Sequence, residues 1–259
     1  MKFVFDLDGT ICFEGKPISE TILECLDQLQ GNGHDLIFAS ARPIRDMLPV
    51  LHKRFHSSKL IGGNGALISS NGNVESVQAF SKQQMEQIMS MIERRQATYL
   101  IDGHWDYAYT GPLNHPILNK VDPAHLATCM PVSSLGTIVK VLILTADNMD
   151  MVEQEITGLD VVMHRHADES VLDISPKNVH KWRALQDLGV SENRYIAFGN
   201  DVNDMTMFQK AAHSVMIGHH DKLAPYATDS VSLEGDYETR IVNKIRKLAR
   251  TYSESEVKF

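Results

Sequence analysis

The chain opens on a short apolar run, residues 3–5, which stops at two aspartates one residue apart, Asp6 and Asp8. Successive side chains of an extended strand point to opposite faces, so these two carboxylates share one face. Gly9 permits a sharp turn directly after them, and Thr10 adds a hydroxyl. Paired acids at the end of a buried strand are typical of a site for a hard metal ion and a phosphate. The structural alternative is a strand that ends in an Asp-rich turn.

The composition narrows the classes of partner. A length of 259 residues allows one large domain or two moderate ones. The formal net charge of −8 argues against a nucleic-acid binder, although a bound metal and a few Lys or Arg residues can still attract an anionic substrate. The longest apolar stretches, such as residues 139–146, are too short to span a bilayer, so we expect no membrane segment.

The cysteines and the N-terminal segment favour a cytoplasmic protein. Cys12, Cys25 and Cys129 are odd in number and lack metal-ligand spacing, which favours reduced, mostly buried thiols. No basic segment followed by an apolar one opens the chain, so we expect no secretory signal. We also expect a monomer or a weak homo-oligomer.

Hydrophobic periodicity predicts alternating strands and helices at the start of the chain. Apolar runs at residues 3–5, 36–39 and 59–61 predict strands, with one helix after Ser19 and another over residues 44–55 between them. This alternation is typical of a parallel α/β sheet, whose ligands bind at the carboxyl ends of the strands. Asp6, Asp8 and Ser40 would all lie at that edge.

The pattern changes after residue 66 and resumes near residue 176. Residues 67–77 predict a hairpin, and Ser81 with Gln84 predicts a capping box. The next predicted elements are strands near 98–101, 139–145, 161–164 and 171–174 and a helix near 149–156, followed by a helix at 179–188, strands at 195–198, 214–217 and 230–233, and a helix at 237–248. We therefore predict an α/β fold in which a Rossmann-like parallel-sheet core, residues 1–79 and 176–259, carries an inserted α+β domain, residues 80–175.

Four groups of polar residues at separate element ends resemble the haloacid dehalogenase superfamily of phosphohydrolases. They are the Asp-Leu-Asp-Gly-Thr motif at residues 6–10, Ser40, Lys181 near a helix start, and the Gly-Asn-Asp-Val-Asn-Asp loop at residues 199–204. The first motif is the most specific, and the match covers nearly the whole chain. The insert falls between the Ser40 strand and the Lys181 helix, which looks like the Cof-type sugar phosphatases, whose α+β cap lies there.

The resemblance implies catalytic and metal-binding roles. Asp6 would attack phosphorus and form an aspartyl-phosphate, and Asp8 would protonate the leaving group and then activate water. Mg²⁺ would be held by the side chain of Asp6 and the backbone carbonyl of Asp8. The family usually has Asp where this chain has Asn200, which still offers a carbonyl oxygen. We expect Asn200 to be the third protein ligand, with Asp204 holding metal-bound waters. There are two alternatives for this loop: Asp201 is the direct metal ligand, or the loop is purely structural.

The resemblance also implies phosphate- and substrate-binding roles. Lys181 and Ser40 would bind phosphoryl oxygens, with Lys177 as the competing lysine, and Asn203 matches a residue on the phosphate or substrate side. Arg42 would assist phosphate binding or else pair with an acid. Asn64 would touch the substrate or else serve as a turn residue.

Two groups of cap residues are candidates for contacts with the substrate. An aromatic–polar cluster could face a sugar or a ring, or could form an ordinary half-buried strand and turn; its members are Asp102, His104, Trp105, Asp106, Tyr107 and Tyr109. His164 and His166 alternate along a strand and could line the cleft, or lie at a solvated strand end.

Together these residues predict a Mg²⁺-dependent phosphomonoesterase for a small phosphorylated metabolite, either a sugar phosphate or a phosphorylated cofactor. A phosphomutase of the same fold, a phospho-acceptor module and a non-catalytic sugar-phosphate binder are the alternatives. Phosphoryl transfer must exclude water, whereas hydrolysis of the intermediate must admit it. We therefore expect the cap to move relative to the core about the two connecting segments near Ala79 and Ser175.

Overall fold

The computed structural model describes residues 1–166 and 171–256. The strands in these ranges are β1 (Lys2–Asp6), β2 (Asp35–Ala39), β3 (Lys59–Gly62), β4 (Leu67–Ser70), β5 (Asn73–Val77), β6 (Thr98–Gly103), β7 (Tyr107–Tyr109), β8 (Ile138–Thr145), β9 (Val161–His166), β10 (Val171–Pro176), β11 (Tyr195–Gly199), β12 (His213–Ile217) and β13 (Asp229–Val231). The helices are α1 (Glu20–Gly31), α2 (Ile44–Met47), α3 (Lys82–Arg94), α4 (Met149–Thr157), α5 (Lys181–Asp187), α6 (Met205–Phe208) and α7 (Tyr237–Glu256).

Eight strands form the larger sheet, which we call the core sheet. Their order is β13-β12-β11-β1-β2-β3-β4-β5, and the first six of these pair in parallel. β4 and β5 add the predicted hairpin at one edge: β4 pairs antiparallel with β3, and β5 pairs antiparallel with β4. Its turn residues Asn71 and Gly72 have φ angles of 52° and 80°, as the tight turn of a two-residue hairpin requires. The carboxyl ends of β1, β2, β3 and β11 therefore meet at one edge.

Apolar side chains cover the core sheet on both faces, as a parallel sheet requires. On one face the fully buried rings of Phe5 and Phe198 stack with their centroids 4.8 Å apart, with Phe3 and Phe38 beside them. The apolar sides of α1 and α7 complete that layer. On the other face, buried residues of α5 and α6 pack against alternate residues of β1 and β11.

Five strands form the second sheet, which we call the insert sheet, in the order β7-β6-β8-β10-β9. The pairs in this sheet are antiparallel. Helices α3 and α4 cover one face, and α3 starts with the predicted capping box, in which Ser81 and Gln84 bond reciprocally to each other's backbone amides. We use "insert" for the segment from α3 to β10. The fold class predicted from sequence is confirmed, whereas the exact domain bounds, 1–79 with 176–259 and 80–175, stay a prediction.

Some predicted helix bounds are wrong. The helix expected over residues 44–55 is a single turn, α2, followed by a separate 3-10 turn at Lys53–Phe55. Pro49 explains the break, because it has no N–H to donate and its ring disfavours helical geometry before it. Helix α5 starts at Lys181 rather than at residue 179, because Asn178 adopts a φ of 62° and the His180 side chain caps the helix. Among the described helices, none has the length and apolar character needed to cross a membrane.

The aromatic layer gives a stability prediction. Phe3 lies at the start of β1, fully buried and remote from the end that carries the aspartates. Phe3→Ala should lower the free energy of unfolding by about 3–5 kcal/mol, because it leaves a cavity under the sheet. Urea unfolding followed by circular dichroism measures the change.

The matched control is Leu113→Ala, since the Leu113 side chain is 92% exposed. It should leave the urea midpoint where it is in the unsubstituted protein. Equal midpoints for the two variants would contradict the assignment of this core layer.

Candidate active site

The predicted site residues come together at the carboxyl edge of the core sheet. Asp6 ends β1, Ser40 follows β2, Asn64 follows β3, and the loop 200–204 follows β11. The first turn of α5 brings Lys181 to the same edge. The parallel strand order therefore assembles residues that lie up to 198 positions apart in the sequence.

A buried lysine joins two buried carboxylates at the centre of the site. The Lys181 Nζ atom lies 2.6 Å from Asp6 Oδ1 and 2.6 Å from Asp204 Oδ1. The Lys181 and Asp204 side chains are fully buried, and that of Asp6 is 5% exposed. Breaking a buried pair by removing one partner is strongly destabilising, so each of these charges depends on the others.

Burial and charge shift the pKa values of this group. Burial raises the pKa of Asp6 to about 7, against the opposing attraction of Lys181. Burial alone would lower the pKa of Lys181, but the carboxylates of Asp204 and Asp6 outweigh it and raise that pKa above its ordinary value. Lys181 is therefore a fixed positive charge next to Asp6.

The amide of Asn200 lies against three oxygen atoms of the first loop. In the orientation that satisfies its hydrogen bonds, its nitrogen donates to Asp8 O at 3.0 Å, Asp6 Oδ2 at 3.2 Å and Thr10 Oγ1 at 3.3 Å. Thr10 Oγ1 in turn donates to Asp6 Oδ2 at 3.0 Å. Gly9 makes this approach possible, because its φ is +75° and a Cβ there would collide with the Asn200 side chain.

This cluster fits a hard divalent cation. A rotated Asn200 amide presents its oxygen to the Asp6 carboxylate oxygen and the Asp8 carbonyl, and carboxylate, carbonyl and amide oxygens are ligands that Mg²⁺ accepts. Among residues 1–166 and 171–256, no group of three or more His, Cys, Asp or Glu side chains is arranged to hold a metal. A cation site here would therefore depend on the backbone carbonyl and the amide.

The rest of the 200–204 loop is organised by Asp204. Its Oδ2 accepts the backbone N–H of Asn200 at 2.8 Å and of Asp201 at 3.2 Å, while its Oδ1 faces Lys181. The Asp201 carboxylate instead accepts its neighbour's N–H and lies 3.2 Å from His220. Asn200, rather than Asp201, is thus the residue that faces Asp6.

Arg42 pairs with Asp8 through both carboxylate oxygens. Its Nη2 lies 2.6 Å from Asp8 Oδ1 and its Nε 2.7 Å from Asp8 Oδ2. The Asp8 side chain is 46% exposed at the mouth of the site. Ser40 is buried, and its hydroxyl accepts the backbone N–H of Arg42 at 3.0 Å. Of the two roles expected for Arg42, the structure contains the pairing with an acid.

Two asparagines meet between neighbouring loops. Asn203 Nδ2 donates to Asn64 Oδ1 at 3.0 Å, and Asn64 is buried with a φ of 60°. Asn64 therefore has the left-handed geometry of a turn residue and also contacts the loop that follows β11. Lys177 lies elsewhere, in an exposed pair with Asp160 at 2.7 Å.

The predicted cap residues have diverse surroundings. Asp102 is buried on β6, while Tyr107 and Tyr109 lie half-buried on β7 and His104 is exposed in the turn between them. Trp105 is half-buried and Asp106 accepts the N–H of Thr128 at 2.8 Å. His164 lies opposite Asp173 in the insert sheet. The prediction for the side chain of His166 lies outside what the structure describes.

Arg45 and Asp46 lie buried beside the site, although no sequence pattern predicts a role for them. Each of these two side chains contacts a residue more than 50 positions away in the sequence, and no local sequence pattern predicts such contacts. Thr10, which the sequence predicts only as a hydroxyl beside the acids, donates directly to Asp6.

The chain is similar to a known enzyme family and to curated proteins. A family model described as haloacid dehalogenase-like hydrolase matches residues 3–235. An HMP-PP phosphatase from Klebsiella pneumoniae is 25% identical over 228 residues, which cover 83% of each chain. A 5-amino-6-(5-phospho-D-ribitylamino)uracil phosphatase from Bacillus subtilis is 22% identical over 231 residues, which cover 83% of this chain and 85% of that protein.

A solved structure of a HAD subclass IIB sugar phosphatase superposes with a TM-score of 0.77 at 16% identity, covering 95% of this chain and 98% of that one. This likeness shows the fold. The family model extends over most of the chain, from the strand that carries Asp6 to the loop beyond β13. The similarity to named phosphatases supports a phosphatase within its family. The protein belongs to the haloacid dehalogenase-like hydrolases, as its sequence predicted.

Proposed function

We propose that the protein hydrolyses a small phosphorylated metabolite, either a sugar phosphate or a phosphorylated cofactor, with Mg²⁺ as its cofactor and an aspartyl-phosphate as its intermediate. The observation that carries the proposal is the buried Lys181 ammonium, 2.6 Å from both Asp6 and Asp204 at the carboxyl edge of the core sheet. Both curated relatives are named as phosphatases, and one name contains a phosphorylated ribitylamino-uracil. Those names support a small metabolite as the substrate.

In the first step a carboxylate oxygen of Asp6 bonds to phosphorus as the ester oxygen leaves, and Asp8 supplies a proton to that oxygen. Lys181 holds one oxygen of Asp6 and Thr10 the other, so the carboxylate is oriented before the substrate enters.

In the second step Asp8 takes a proton from water, the water oxygen bonds to phosphorus, and the bond between phosphorus and Asp6 breaks. Arg42 contacts both oxygens of Asp8 and therefore fixes the orientation of this carboxyl group for the proton transfer.

The anionic phosphoryl oxygens require positive charge and hydrogen-bond donors. Lys181 provides a buried cation, and the Ser40 hydroxyl provides a donor from the end of β2. We assign the amides of Asn64 and Asn203 to the substrate side of the site, where they already bond to each other.

Mg²⁺ would be held by the Asp6 carboxylate, the Asp8 backbone carbonyl and Asn200, with Asp204 behind them. When bound, it would neutralise the negative charge of the phosphoryl oxygens. Asp204 also fixes the backbone of Asn200, so it orients that amide even without touching the cation itself.

We assign residues 80–175 to a cap domain over this site and the protein to the cytoplasm, as a monomer or a weak homo-oligomer. All three cysteines are free, and Cys12 and Cys25 are buried, which supports a reducing compartment.

Asp6→Asn should reduce phosphate release by about 10³-fold or more, because an amide does not attack phosphorus as a carboxylate does. Release from p-nitrophenyl phosphate with magnesium measures it, and Asp35→Asn, at an exposed position of β2, is the control.

An Asp6→Asn protein as active as the unsubstituted one would refute the assignment. A phosphomutase would instead need a bisphosphate activator and retain the phosphoryl group, so steady phosphate release without an activator separates the two activities.

Lys181→Met should lower activity by about 10²–10³-fold, since it removes a cation from the phosphoryl site. Lys177→Met should leave activity unchanged, because Lys177 lies in an exposed pair with Asp160. The same phosphate assay compares the two variants, and a greater loss for Lys177→Met would reverse the assignment.

Asn200→Asp should tighten Mg²⁺ binding, because a carboxylate replaces a neutral amide beside Asp6. Calorimetric titration of the substrate-free protein with magnesium chloride measures the dissociation constant. Asp201→Asn is the matched variant, and it should leave that constant unchanged. Weaker binding in Asp201→Asn, with no gain in Asn200→Asp, would make Asp201 the ligand.

A further inference from the structure

A buried arginine of the core forms the centre of a contact between core and insert. Arg45 lies on α2, and its side chain is fully buried. Its guanidinium bonds to the Asp102 carboxylate of β6 and donates to the Trp105 carbonyl at 2.6 Å. The ring of Tyr107 lies 5.0 Å from its central carbon. These three partners belong to the insert.

Neighbouring residues of the same core segment also contact the insert. The Asp46 carboxylate accepts the backbone N–H of Asp122 at 2.8 Å. The Lys140 ammonium of β8 donates to the Ala41 carbonyl at 3.0 Å and lies 2.9 Å from Asp173 of β10. Three residues of the segment 41–46 thus bond to the insert, at both ends of the segment.

The energetics of these contacts favour an all-or-none interface. A buried ion pair gains little net stability, but a buried charge that has lost its partner is strongly destabilising. If the insert separated slightly from the core, Asp102 would lose its Arg45 partner before water could reach it, and Arg45 would keep its pairing with Asp46 at 3.3 Å. Fully docked and fully separated arrangements are therefore both more stable than intermediate ones.

The segment that the insert holds also carries the partner of Asp8. Arg42 Nη1 donates to the backbone carbonyl of Asp46 at 3.2 Å, and its other two nitrogens contact Asp8. The position of the Arg42 guanidinium therefore depends on the backbone of α2, which Arg45 and Asp46 fix against the insert. A chain of direct contacts runs from Asp102 through Arg45 and the α2 backbone to Arg42 and Asp8.

We propose that Arg45 is a positioning residue: it locks the insert onto the core and thereby holds Arg42 on Asp8, which aligns Asp8 for the step that hydrolyses the aspartyl-phosphate. The inference rests on the function proposed above. In that step the water proton goes to an Asp8 oxygen, the water oxygen bonds to phosphorus, and the phosphorus–Asp6 bond breaks. Docking of the insert and alignment of the base are then one event.

The kinetic test uses p-nitrophenyl phosphate, whose leaving group needs little protonation, so Asp8 matters mainly in the second step. Arg45→Met should lower kcat by about 10-fold or more, because small misplacements of catalytic groups are costly. KM should fall by the same factor, leaving kcat/KM unchanged, and rapid mixing should show a burst of p-nitrophenol. Equal losses in kcat and kcat/KM would overturn the proposal.

Two further variants make the result specific. Arg54→Met removes another arginine with two carboxylate partners, Glu20 and Asp27, on the surface of the core, and should leave both constants unchanged. If Arg45→Met does not fold, Asp102→Asn tests the same contact from the side of the insert and should give the same kinetic pattern. Normal kcat in a folded Asp102→Asn protein would overturn the proposal.

A double-mutant cycle tests whether Arg45 acts through Arg42. In an Arg42→Met background, Arg45→Met should change kcat by less than about 2-fold, because the contact that it supports is already gone. If the two losses multiply, Arg45 acts independently of Arg42 and the positioning role is wrong.

A spectroscopic readout separates failure of this inference from failure of the proposed function. The Nε–H signal of Arg42 can be identified in the ¹⁵N NMR spectrum, because it is absent from the spectrum of Arg42→Lys. The exchange of this proton with solvent should be slow in the unsubstituted protein and fast in Arg45→Met. Should the unsubstituted protein release no phosphate, the proposed function fails, while this exchange rate still decides whether Arg45 holds Arg42. Slow exchange in both proteins would refute the inference whatever the activity.

Discussion

The buried ammonium of Lys181 is the interaction on which the rest of the site depends. Two carboxylates packed at the end of a parallel sheet would repel each other and resist burial, and the lysine offsets part of both costs. Because Asp204 uses its second oxygen to hold the backbone of Asn200 and Asp201, the same interaction also shapes the loop after β11. A substitution that removes the charge of Lys181 or Asp204 should therefore also change the conformation of the 200–204 loop.

Much of the fold and of the site could be predicted from the sequence, where local rules decide the structure. The capping box at Ser81 and the hairpin turn at Asn71 follow from residue type and spacing alone. Asp6 and Ser40 were predicted to share an edge, because parallel strands end on the same side. The helix predicted over residues 44–55 is the exception, because its apolar periodicity was given more weight than the helix-breaking effect of Pro49.

The rest of the site could not be predicted, because it depends on tertiary contacts without a local signature. The sequence around Arg45 predicts an ordinary helix residue, and its burial against Asp102 is seen only in the folded structure. Similarly, whether Arg42 would meet a phosphate or an acid depended on where the loop after β2 places it relative to Asp8. Side-chain partners separated by tens of residues are determined by packing, which composition and periodicity do not encode.

The neutral side chain at Asn200 changes the electrostatics that an incoming substrate meets. The Lys181 and Arg42 cations nearly balance the carboxylates of Asp6, Asp8 and Asp204, which leaves a formal excess of one negative charge, where an aspartate at position 200 would leave two. A phosphate dianion approaching the metal-free protein is therefore repelled less strongly. Under the proposed mechanism, the order in which the cation and the substrate bind is then less constrained than in a site built from four carboxylates.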